Sequence, residues 1–573
     1  MSDVSIQNMI YSNEFADLIV PLPSTDEDFF EQYRSLGAQV FGGRLGMVHI
    51  PVNGRTRWEN LSYSFFPSLF TLLDTASLEV SGILRFQAQP NLAYKGEGVL
   101  LGFIDTGIDY TRADFRFPDG RTRILGIWDQ TLPSDQPPFD LNYGTAFTRE
   151  EIDLALQSES PLSIVPTTDT NGHGTFLAGV AAGSPSSDAG FTGAAPESMI
   201  AMVKLKPAKQ YLTDYFLIRE DATVFQETDI MTGLRYLVSL SVTTGLPLVI
   251  CIGLGTNQGD HNGTAPLDRL LNYFVDYQGC FCAVAAGNEA GMGHHFYSRS
   301  AESYDTSYTE ILVDEADQGF TMEIWADSPN LYSVSVTSPL GESIPAVSAR
   351  QGLINTYPFL AERTILEIRY EVAEYASGGQ LIQLRFLNPT PGIWRLSLSS
   401  GTRPAGAYHM WLPITGLISP GTVFLQPDPY TTLTAPSAAQ SVITVSTYSA
   451  YTGSLYIHSS RGFTRDSSIK PDLAAPGVDV YGPVSADTRT LPLLSSYTRS
   501  TGSSAAAAIT AGAIALLINW GMDRPALSSG ILSNRSVKNY LTRGAQRQPD
   551  LEYPNREWGY GTLNVYGIFQ SLM

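Results

Sequence analysis

The sequence predicts an α/β fold built on a doubly wound parallel sheet, with a small α+β unit before it and an all-β insertion inside it. Three observations carry this. From Gly96 onward, continuous apolar runs alternate with helical patterns. Between about Ser300 and Asp428 the alternation gives way to strands of period two, and after Asp428 it resumes.

Residues 1–89 read as a separate unit. "DLIVPLP" has the pattern of a strand, "TDEDFFEQYRSLG" of a capped amphipathic helix, "GRLGMVHIPV" of a second strand and "YSFFPSLFTLLD" of a second helix. "GEGVLLGFIDTGID" is then a continuous apolar run ending in polar residues, as expected of a parallel strand buried on both faces. "ESMIAMVKLK", "GLPLVICIGLG", "CFCAVAAGN" and "QSVITVSTYS" repeat that pattern, and "DIMTGLRYLVSLSVTTG" and "APLDRLLNYFVDYQG" supply helices between them. In such a sheet, function gathers at the carboxyl ends of the strands. Residues 301–428 carry "FTMEIWADS", "YSVSVTSPLG", "TILEIRYEVA", "LIQLRFLNPTPGIWRLSLSSG" and "AGAYHMWLPI", which predict a sandwich or jelly roll. The α/β unit therefore occupies residues 90–300 and 429–573.

A chain of 573 residues is too long for one ordinary core. Its net charge of −21, with no basic cluster to offset it, argues against nucleic acid or an anionic membrane surface as partner. Cys251, Cys280 and Cys282 all lie in apolar segments and read as buried free thiols. The longest apolar stretch follows Ser504 and contains Thr510 and Gly512, so it reads as a core helix and not a membrane span. The first twenty residues lack a basic start followed by an apolar core. No export signal is expected, and the chain is placed in the cytoplasm, a reducing compartment. No D-x-D-x-D-G loop is present, so no cofactor is expected and calcium finds no support.

Three segments carry polar residues that the fold alone does not require. Asp105, in "FIDTGID", ends a buried strand, where it either caps the following turn or does chemistry. The aspartic-protease reading of its D-T-G fails, because a second D-T-G or D-S-G is missing. His173, in "TDTNGHGTFLAGVAAG", opens a helical run of small apolar residues, either as a structural histidine or as a base that its flanking glycines let other groups approach. Ser503 and Ser504, in "STGSSAAAAITAG", lead a deeply apolar helix, as a cap or as a nucleophile at a helix N-terminus. A serine needs a base to take its proton, and the base needs an acid to fix its tautomer. Asp105, His173 and Ser504 supply the three in order. Asn288, in "AVAAGNEAG", sits just past a buried strand and offers an amide for an oxyanion, with the Ser504 N–H as second donor.

"DTGID", "NGHGT", "AAGN" and "TGSSAAAAITAG" together resemble the subtilisin-like serine proteases, the subtilases, over residues 96–300 and 429–565. The resemblance implies a subtilisin-like sheet with Asp105, His173 and Ser504 as triad and Asn288 and Ser504 at the oxyanion hole. It also implies that Gly253, Leu254 and Gly255 form an edge for the substrate backbone, with Ala285, Ala286 and Gly287 beside it. "FTLLDTASLEVSGI", "YGTAFTREEID", "SSRGFTRDSSIKPDLAAPGV" and "YPNREWGYGTLNVY" are similar to the clostridial Csp-type germination proteases. That branch implies a prodomain at 1–89 that chaperones and inhibits, a jelly roll at 301–428, and a protein substrate, the zymogen of a spore cortex hydrolase. Its degenerate members imply the alternative, a silent regulator or germinant receptor held by its prodomain. Autoprocessing is expected near Gln87–Ala88, with Phe86 and Gln87 in the cleft, since Pro90 disfavours a cut before it. Three positions depart from the family pattern: Ser503 stands for threonine, Ala508 for proline and Phe176 for histidine.

Overall fold

The computed structural model describes residues 5–22, 26–52, 61–72, 83, 94–299, 307–400, 406–488, 496–524 and 533–572. Gln87 and Ala88 lie outside them. The apolar runs become one eight-stranded sheet among the described residues. Its order is Leu473–Pro476, Ile443–Tyr448, Cys280–Ala285, Leu248–Ile252, Leu100–Asp105, Met199–Lys204, Ile124–Asp129 and Thr145–Thr148. Every pairing is parallel except the last, which forms an antiparallel edge. The five interior runs read from the sequence are fully or almost fully buried, as helices on both faces require. Helices His173–Ala182 and Ser503–Met522 share one buried cluster; Glu227–Thr244 and Pro266–Val275 share another.

The Ser503–Met522 helix is long and apolar enough to cross a membrane, but 89% of its apolar window is buried in this chain. Alanine at 508 keeps the backbone N–H that a proline would remove, and the helix runs unbroken. All three cysteines are buried free thiols, and burial pushes the Cys280 thiol up to about 12. Phe176 packs against the strand Val480–Pro483: a Cβ on Gly482 would stand 2.7 Å from its ring.

The N-terminal unit holds an antiparallel sheet of Phe15–Pro21, Leu45–Pro51 and Gln39–Gly42, with helices Ile6–Tyr11 and Asp26–Tyr33. It rests on the large domain through Asp17. Lys209 Nζ and His49 Nδ1 lie 2.8 and 2.6 Å from Asp17 Oδ1, and Gln226 Nε2 donates to Oδ2 at 2.8 Å. Burial alone would raise this carboxyl, yet Lys209 and His49 hold it well below the usual carboxylate range.

Two expectations are corrected. "YSFFPSLFTLLD" is not a helix: it forms a short 3₁₀ turn, Tyr63–Phe65, and a strand, Leu69–Leu72. Pro67 breaks the helical ladder, and distant partners supply the strand's hydrogen bonds. The β insertion begins before residue 301, because His295–Arg299 pairs with Ala407–Trp411. Its strands form a six-stranded and a five-stranded antiparallel sheet around one buried cluster that includes Phe320, Trp394 and Leu396.

Candidate active site

The carboxyl end of the central strand delivers Asp105 to the N-termini of two helices. His173 opens one, and its Nδ1 lies 2.8 and 2.9 Å from the two Asp105 oxygens. Ser504, in the first turn of the other, sets its Oγ 3.2 Å from His173 Nε2. All three residues are at most 7% exposed. Gly253 makes the approach of the two helices sterically possible. A Cβ there would stand 2.9 Å from Ser504 Cβ and 2.7 Å from Leu177 Cδ1.

Ser504 lies in the first turn, so its backbone N–H has no intrahelical acceptor and the helix dipole favours negative charge beside it. Asn288 Oδ1 accepts the Ser503 N–H at 3.0 Å, which fixes the amide so that Nδ2 is its donating end. The Ser503 hydroxyl accepts the Gly287 N–H at 3.1 Å. Through its hydroxyl, the group it shares with the expected threonine, Ser503 thus ties the Asn288 loop to the Ser503–Met522 helix.

Of the sequence-derived substrate residues, Leu254–Gly255 is a short edge strand beside Gly253. The structure finds it occupied. Leu69–Leu72 pairs with it antiparallel, Leu72 opposite Leu254 and Thr71 opposite Gly255. On its other side the same strand pairs with Phe225–Gln226, a groove wall that sequence reading missed. Ala285, Ala286 and Gly287 lie next to this region, but their main chain is engaged within the domain. Ala286 N–H donates to Val445 O, Ala286 O accepts from Thr434, and Gly287 O accepts from Ser460. They offer small walls and no free edge.

Asp169 is a second omission. Fully buried, it accepts from the Thr106 hydroxyl, the Gly172 N–H, and the Thr175 N–H and hydroxyl, all at 2.6–2.8 Å. Thr106 in turn donates its N–H to Asp105 Oδ1 at 2.7 Å. One carboxylate therefore braces the Asp105 loop against the His173 helix. Its only sequence signal is a polar residue shortly before "NGHGT". Among the described residues no cluster of three or more His, Cys, Asp or Glu side chains is arranged to hold a metal.

The subtilase family profile matches residues 96–349 and 426–561, the segments that build this sheet and site. The chain belongs to the subtilase family of serine endopeptidases. Among solved structures this subtilase is similar to the CspB protease of Clostridium perfringens. The two share 30% identity and a TM-score of 0.75 over 86% of this chain and 96% of that one. It is also similar to fervidolysin of Fervidobacterium pennivorans, at 12% identity and a TM-score of 0.48 over 97% of this chain and 61% of that one. A PII-type proteinase of Lacticaseibacillus paracasei is 24% identical over 258 residues, 44% of this chain and 12% of that protein. The match to this curated relative therefore spans about an eighth of the relative's own length.

Proposed function

We propose that this subtilase is an active endopeptidase whose first substrate is its own N-terminal unit, and whose substrate in trans is the zymogen of a spore cortex hydrolase. One observation carries the reading: a strand of the N-terminal unit lies on the Leu254–Gly255 edge and runs toward Ser504. His173 Nε2 takes the Ser504 proton as Oγ attacks the carbonyl. Asp105 holds the Nδ1–H and stabilises the imidazolium that forms. The Ser504 N–H and Asn288 Nδ2 receive the developing oxyanion. His173 then returns the proton to the leaving amine, and a water activated by the same imidazole hydrolyses the acyl-enzyme.

The described strand ends at Leu72, opposite Leu254, the residue after Gly253. That favours a first cut close after this strand, upstream of the Gln87–Ala88 bond. The cortex-hydrolase substrate follows from the resemblance to the Csp-type germination proteases, and similarity to the CspB protease supports placement in that branch.

Intact mass of wild type beside Ser504→Ala tests the reading. Wild type is expected to yield an N-terminal piece ending close after the Leu69–Leu72 strand while Ser504→Ala stays whole; a piece ending at Gln87 restores the downstream position. If both stay whole and a fluorophosphonate leaves Ser504 unlabelled, the protein is a silent regulator. Addition of the processed protease to a purified cortex-hydrolase zymogen tests the substrate, with release of its propeptide as the expected result.

A further inference from the structure

The strand in the groove is covered on both faces. Side chains alternate along a strand, and Phe70 enters the cluster that holds Phe225 and Leu254. Thr71 faces the other way, where an open groove would leave it in water, yet it is only 9% exposed.

Beside it on that face runs the chain returning from the sandwich, Leu412–Ile418, which approaches Thr71 at Gly416. Ile414 and Leu417 sit in the core of the large domain, Leu412 and Ile418 in that of the sandwich. Its polar anchors converge on Glu289, the residue after Asn288. Glu289 Oε1 accepts the Thr415 N–H at 3.2 Å, and Oε2 accepts Asn257 Nδ2 at 3.1 Å and lies 2.6 Å from His294 Nδ1. Asn257 Nδ2 also reaches Leu412 O at 3.2 Å. Burial acts to raise the Glu289 carboxyl, but His294 and these donors hold it below its ordinary range.

The turn so pinned, closed by Leu417 N–H to Ile414 O at 3.0 Å, brings Gly416 over Thr71. A Cβ on Gly416 would stand 3.8 Å from Thr71 Oγ1. From the opposite wall, Thr223 O accepts that hydroxyl at 3.2 Å.

We propose that the Ile414–Leu417 turn is a specificity element: it roofs the substrate position held by Thr71 and admits there a small hydroxyl side chain, threonine or serine. This rests on the reading of the groove as the substrate site. A long side chain at this position has to displace a turn locked into two cores, and an apolar one leaves Thr223 O without its donor.

The test is the rate of the first cut in the full chain, followed by intact mass, for Thr71→Ser, Thr71→Val and Thr71→Lys. Serine is expected to stay within about twofold of wild type, valine to slow the cut about threefold or more, and lysine about tenfold or more. Equal rates for valine and lysine overturn the proposal, and valine alone decides if the lysine variant shows no cooperative melt. A second readout needs no cleavage. In the Ser504→Ala background, hydrogen exchange at Leu69–Leu72 should stay slow with Thr71→Ser and quicken with Thr71→Lys; unchanged exchange overturns the roof. A wild type that never cuts itself sinks the autoprocessing reading instead, and the exchange result still decides the roof.

Discussion

Two of the grips that the N-terminal unit has on the large domain are made of different materials. In the cleft, Leu69–Leu72 is held by main-chain pairing on both sides. At the three-stranded sheet the grip is a buried charge network in which Asp17 meets Lys209, His49 and Gln226. Main-chain pairing is blind to most side chains, so a different strand can take this one's place. A buried carboxylate with its own ammonium accepts no substitute, because either group alone is stranded. The first grip is made to be exchanged and the second to last. Gln226 belongs to both, its backbone opposite Leu69 and its amide on Asp17.

The largest expected effect separates holding from cutting. Ser504→Ala should lower turnover by about 10⁶, the size of such losses in subtilisin-type sites. It should also leave both grips intact, with the chain whole by mass and monodisperse by gel filtration. Next is Lys209→Ala, which leaves Asp17 buried without its cation at a cost of about 3–5 kcal/mol. The cut N-terminal piece should then elute apart from the large domain; co-elution would show that the piece is held without the Asp17 network and would erase the distinction. Asn288→Ala should lower kcat by about 10²–10³ in a peptide assay while leaving the elution profile unchanged.

A smaller effect should appear as pH changes, with opposite signs at the two grips. The Asp17 carboxyl is held below its ordinary 3.8, so its contribution is present above that value and is lost as pH falls. Glu227 and Glu323 behave in reverse. Burial pushes both from 4.5 up to about 7. Glu227 accepts the Ser68 N–H, and Glu323 accepts the Tyr63 hydroxyl, so both line the path of the segment entering the cleft. These acids bind more protons in the folded chain, so stability falls as pH rises from about 4.5 to about 7. Glu323→Gln should flatten that fall in a series of melts across pH; a profile identical to wild type would remove Glu323 from the account. Least of all, Ser503→Thr should change kcat by less than about twofold, since the hydroxyl that accepts from Gly287 is kept.

The parallel strands were legible because burial on both faces writes itself as an unbroken apolar run, as in Leu248–Ile252 and Cys280–Ala285. The candidate triad was legible because Asp105, His173 and Ser504 each sit at an element boundary inside a short motif. What escaped is what distant partners decide. The Leu69–Leu72 segment shows helix-like spacing, and it is a strand only because residues 225–226 and 254–255 flank it. His295–Arg299 was missed for a like reason, its partner lying beyond residue 400. Asp169 acts through Thr106, Gly172 and Thr175, and nothing local marks a carboxylate that works by receiving four hydrogen bonds.

The strand between Leu254–Gly255 and Phe225–Gln226 has a kinetic consequence. A segment tethered beside its own groove is present there at an effective concentration on the order of millimolar, whatever the concentration of the protein. On the proposed reading, a cut would not dilute it while the Asp17 network keeps the piece docked. On that reading a substrate arriving from solution would compete with a resident strand at that local concentration, and its rate of cleavage would be set by how often the resident end lifts away.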